Sequence, residues 1–118
     1  MRKIDDDIIR LPLDCISYKV AIDEGLSLEK VDKAADLYRA FLQANRDNPG
    51  IRLAPSKEID IYWHHHILDT SKYIIDCRAL FGRYFHHFPY SGLRGMQDQT
   101  EQEQRYEKSM QIINAYHP

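Results

Sequence analysis

Between Ser27 and Asn48 the apolar residues recur three and four apart. Leu28, Val31, Ala35, Tyr38 and Leu42, with Asn45 in line, mark one face of an amphipathic helix. A chain organised on this period must bury such faces against other helices. No stretch alternates apolar and polar residues with turn pairs between, so strands are minor at best. The expected fold is all-α: a compact bundle of four to five helices, with an irregular loop rich in aromatics and histidine before the last one.

Punctuation residues place the elements. Pro12, Leu13, Ile16, Tyr18 and Val20 predict a first helix that ends near Gly25, a residue suited to the left-handed C-terminal position. Ser27 is placed to cap the next helix, and Asn48, Pro49 and Gly50 end it. Ser56 caps a third, with Ile59, Tyr62, Trp63 and Ile67 as its apolar face. Asp69 or Thr70 opens a fourth through Tyr73, Ile74, Cys77, Leu80 and Phe81 to Gly82. Pro89, Gly92 and Gly95 break any regular element after Gly82. Asp98 with Glu101, or Thr100 with Glu103, forms a capping box for the final helix, whose stripe is Tyr106, Met110, Ile113 and Tyr116. Residues 1–118 form one domain, with 1–10 expected as a loose N-terminal arm around Asp5, Asp6 and Asp7.

At 118 residues, 43% apolar and 29% charged, the chain can build one core without staples. A net charge of −2 supplies no broad basic face for nucleic acid. No apolar run is long enough for a membrane span or a signal peptide, so a cytoplasmic location and no membrane partner are expected. Cys15 and Cys77 are too few for a disulfide framework.

Chemistry concentrates in residues 60–90, DIYWHHHILDTSKYIIDCRALFGRYFHHFPY, which hold five of the six histidines and the single tryptophan. Neutral imidazole is the commonest protein metal ligand. Asp60 and His64 are four apart and share a helix face; Tyr73 and Cys77 repeat that spacing on the next helix. If the two helices form a hairpin, these faces can meet, with His86 and His87 arriving from the loop beyond. The expected metal ligands are His64, His87, Asp60 and Cys77, a donor set suited to zinc or iron. His66, His86, Asp69, Tyr73, Asp76, Trp63 and Arg94 are the expected supporting or pocket residues. His66 lies about 200° around the helix from His64, so the two cannot share a centre; His65 is expected to face solvent.

The bland reading is that these histidines hold helices together and the aromatics around them are core. Other readings are a thiol nucleophile at Cys77 paired with His64 or His87, and an anion-binding turn at GLRG, residues 92–95. The loop over 84–96 and the last helix could also dock a protein partner through its aromatics.

The segment WHHHILDTSKYIIDCRALFGRYFHHFPYSGLRGMQD resembles the signature of the bacterial and plant "glycine-rich domain-containing protein-like" family. That signature reads W-H-x-H, a Leu-Asp-Thr turn, Y-x-x-D-C, F-G-x-x-x-H-H-x-P-Y and G-x-R-G, and it covers about residues 59–98. The resemblance carries over Asp60, Trp63, His64, His66, Asp69, Tyr73, Asp76, Cys77, Gly82, His86, His87, Pro89 and Arg94, and leaves His65 variable. This chain has five glycines and no glycine-rich tract, so roles tied to that tract, nucleic-acid binding among them, do not transfer. The resulting expectation is a metal-binding helical protein acting on, or accessory to action on, a small molecule or peptide. The alternative is an interaction module with structural histidines.

Overall fold

A computed structural model describes residues 2–87 and 96–117, with side chains over 2–87 and 100–116. Six helices lie within them: α1 (Asp6–Ile9), α2 (Asp14–Glu24), α3 (Leu28–Asp47), α4 (Lys57–Leu68), α5 (Thr70–Phe81) and α6 (Met96–Ile113). Two short strands, β1 (Arg2–Lys3) and β2 (Tyr116–His117), pair in parallel with Arg2 opposite Tyr116. The all-α class holds, with one helix more than the upper expectation. No helix among the described residues is long and apolar enough to cross a membrane.

The punctuation works as chemistry. Ser27 Oγ accepts from Lys30 N and Ser56 Oγ from Ile59 N, each at 3.3 Å, so both serines satisfy an N–H that the first turn leaves without a helical partner. Gly25 and Gly82 close α2 and α5 in the left-handed region, at φ 64° and 71°. The final helix differs from expectation. It begins at Met96, so Asp98 and Thr100 lie inside its first turns rather than at its cap.

Helix α4 is the central element. It packs against α2, α3 and α5, and α3 in turn carries α1, α6 and β2. The α3–α4 seam is aromatic: Tyr38 and Phe41 face Tyr62 and Trp63, with ring centroids of 5.1 Å for Tyr38–Tyr62 and 5.0 Å for Phe41–Trp63. All four are buried, each stabilising the fold by roughly 1.5–3 kcal/mol of removed apolar surface.

The expected loose arm is not loose. Ile4 and Ile8 are fully buried, and β1 pairs across to β2. The acidic run that reads as solvated has partners on α3. Asp5 N donates to Gln43 Oε1, while Arg46 pairs with Asp5 and Asp7 at 3.1 and 2.5 Å.

Candidate functional site

The buried stripe of α4 runs through Ile59, Tyr62, Trp63 and His66, and it fixes where every other residue of that helix points. Because α2 covers a further side, His65 is buried as well and His64 is the exposed histidine of the three. This reverses the expectation for His65. Its Nδ1 lies 3.9 Å from Asp23 Oδ2, too long for a hydrogen bond, and has no hydrogen-bond partner among the described residues.

Helices α4 and α5 do form the expected hairpin, but it is the Trp63/His66 face that meets α5. His66 Nε2 donates to Asp76 Oδ2 at 2.8 Å, and Lys72 Nζ reaches the same oxygen at 3.0 Å. With its proton on Nε2, the ring accepts at Nδ1 from Tyr38 OH at 2.6 Å. Every polar atom of the imidazole is thus engaged. Burial lowers the pKa of His66, against the opposing pull of Asp76, and raises that of Tyr38 well above the phenol range. Both groups are held neutral, which makes this constellation a helix clamp. Tyr38 and Lys72 were missed as its members because Tyr38 reads as part of an apolar stripe and Lys72 as a solvated charge.

Tyr73 and Cys77 form a second structural node. Trp63 Nε1 donates to Tyr73 OH at 2.9 Å, and that hydroxyl donates to Phe85 O at 2.5 Å. Cys77 is buried beside the Tyr73 side chain and the Phe85 backbone. Burial pushes the thiol up, the opposite of what an activated nucleophile requires. The thiol-enzyme reading is therefore corrected: Cys77 is a buried packing residue.

The third constellation opens to solvent. Gly82 turns the chain so that 83–87 runs back along α4, and His87 Nε2 donates to Asp60 Oδ1 at 2.6 Å. The His87 ring lies on Trp63, centroids 4.4 Å apart, and Trp63 stacks on Phe85 at 5.0 Å. This pair edges a half-open cleft of about 640 Å³ between the 49–56 link, the start of α4, the 83–87 segment and α6. His86 lines it too, exposed, with its ring 4.6 Å from Tyr84.

Of the four expected metal ligands, Asp60 and His87 meet. His64 sits on the exposed face with its ring 6.1 Å from His65, and Cys77 belongs to the Tyr73 node. Among the described residues no three His, Cys, Asp or Glu side chains are grouped to hold a metal ion. Asp69 is exposed and stands at the N-cap of α5 without the side-chain cap bond expected of it. Arg94, the GLRG turn and the 88–95 part of the docking loop lie outside the described residues.

The searches of curated proteins and of solved structures returned no match. A protein-family model does match, over residues 14–112, taking in every helix from α2 to α5 and nearly all of α6. The chain belongs to the UCP032817-like family.

Proposed function

We propose that this domain binds a small molecule or peptide in the cleft beside α4, and that Asp60 and His87 are its proton-transfer pair. The observation that carries this reading is the 2.6 Å Asp60–His87 bond at the cleft wall. The two buried histidines are packed into the body of the fold, whereas His87 is half-buried beside open space. Asp60 accepts from Nε2, which leaves Nδ1 as the basic nitrogen, and a carboxylate so placed fixes the tautomer and stabilises the imidazolium. The likeness of residues 59–98 to the glycine-rich domain-containing protein-like signature fits, since Asp60, Trp63 and His87 are among its positions. Two unpaired cysteines support a cytoplasmic setting.

A metal-binding reading, zinc or iron, starts from the same pair: it would use Asp60 and His87 as two ligands and need others from outside the pair. Elemental analysis of untagged protein separates the two. A full equivalent of metal, lost in Asp60→Asn, would replace proton transfer by metal chemistry. The test of the main reading is a small-molecule screen by thermal shift, with hits mapped by amide and indole resonances. Hits should move the Trp63 indole and weaken on Asp60→Asn or His87→Ala but not on Lys33→Ala. Hits that map only to other surfaces would defeat it.

A further inference from the structure

The cleft carries an electrostatic signature that the chain as a whole does not. Lys57, Arg83 and Arg105 line it, and the one carboxylate among its described lining residues, Asp60, is already engaged by His87. They come from three separate places: the first turn of α4, the segment after α5, and α6. A domain of net charge −2 has thus gathered three permanent cations around one concavity.

Elsewhere in the molecule, cations that serve the fold are held by acids or, for Arg39, by the backbone carbonyls of Ile8 and Leu11. Arg46 takes Asp5 and Asp7, Lys72 takes Asp76, and Lys19 takes Asp23. In the cleft, Arg105 donates to a neutral side chain, Gln102, at 3.4 Å. Lys57 and Arg83 form no ion pair among the described residues. Like charges drawn to one concavity repel one another, and an anion there would turn that repulsion into attraction. Arginine forks match the geometry of phosphate and carboxylate oxygens in particular. The same cleft has an apolar side, with Phe81, Phe85, Leu53 and Pro55 among its lining. Its volume suits a small molecule, and a net charge of −2 favours a small anion over nucleic acid.

We infer that the cleft takes a small organic anion, a phosphate or carboxylate group on an aromatic or otherwise flat apolar body. The anionic group meets Lys57, Arg83 and Arg105, and the body lies against Phe85. His87, once protonated at Nδ1, then stands at the edge of the bound group as a further donor to the anion. This inference rests on the cleft being the binding site and adds the chemical class of its ligand.

The test is a resonance titration of the full chain with four probes: phenyl phosphate, benzoate, inorganic phosphate and neutral benzyl alcohol. Phenyl phosphate or benzoate should give saturable shifts at the Trp63 indole and the 83–87 amides. Affinity should fall about tenfold in Lys57→Ala/Arg83→Ala, two exposed positions whose loss leaves the core intact, and stay unchanged in Lys33→Ala. Raising salt from about 0.05 to about 0.3 M should weaken binding severalfold. If phenyl phosphate binds and benzoate does not, the group recognised is phosphate; the reverse makes it carboxylate. If inorganic phosphate binds as tightly as phenyl phosphate, the charged group alone carries recognition and the apolar body is overturned. If benzyl alcohol binds the cleft as tightly as either organic anion, the anion inference falls while the cleft reading stands. If no probe moves any cleft resonance at about 10 mM, both fall.

Discussion

His66 shows what one residue does when burial removes its freedom to titrate. Its imidazole accepts from Tyr38, donates to Asp76 and is held below the ordinary pKa of 6.5 by burial. The unfolded chain therefore takes up a proton at this residue before the folded one does. Stability from the neutral ring is complete above about pH 6.5 and is lost as pH falls from there towards the folded value. Urea midpoints should accordingly drop between pH 7.5 and pH 5.5, and His66→Phe should flatten that slope. At pH 7.5 the same substitution should cost about 3 kcal/mol, because it strands a buried hydroxyl and removes a partner from a buried carboxylate. The importance of the histidine segment was legible in the sequence, but its wiring was not. Spacing puts Asp60 and His64 on one face without saying whether that face looks inward, and the buried stripe through Trp63 and His66 decides the matter. Tyr38, 28 residues upstream of His66, carries no local sign of the pairing.

At the scale of elements, ends were easier to read than contacts. Ser27, Ser56, Gly25 and Gly82 mark boundaries through interactions with their own neighbours, so four residues of sequence suffice to find them. Helix α1 has four residues, too few for a periodic signal, and was hidden in a run of aspartates. Gly82 matters most, because the segment it redirects delivers Phe85 O to Tyr73 and His87 to Asp60. A Cβ there would touch nothing within 4 Å, so Gly82→Ala is penalised through the backbone alone, by about 1 kcal/mol at its φ of 71°. Gly50 has equal space and no positive φ, and Gly50→Ala should be neutral or slightly stabilising. Chemical denaturation of the two variants compares them directly; equal losses would mean that the left-handed turn is not what makes Gly82 costly to replace.

For the molecule as a whole, α3 is the element through which distant segments become one unit. Arg39, Gln43, Arg46 and Asp47 stand at helical spacing along one side. Arg39 donates to the carbonyls of Ile8 and Leu11, Gln43 to Asp5, Arg46 to Asp5 and Asp7, and Asp47 accepts from Tyr116 OH at 2.8 Å. Arg46 Nε also donates to Leu80 O at 3.2 Å, which ties the acidic segment to the end of α5 just before the turn that carries His87. The ion pairs are not the main source of this cohesion. Arg46 lowers the pKa of Asp7, so that pair helps above about pH 3.8 and is lost below it. The Asp7 side chain is half exposed, however, and Asp7→Asn should cost at most about 1 kcal/mol. The apolar contacts weigh more: Ile8→Ala should cost about 2–4 kcal/mol through the cavity it leaves between α1 and α3. Removing residues 2–10 takes away Ile4, Ile8 and both acids together, uncovering the Arg46 side of α3 and the α5 end it holds. Thermal melts followed by circular dichroism should therefore show the shortened chain losing helix as a whole, with the Trp63 environment collapsing in the same transition. A shortened chain that melts at the temperature of the full one, Trp63 signal intact, would make residues 2–10 an appendage after all, and the bundle would begin at α2.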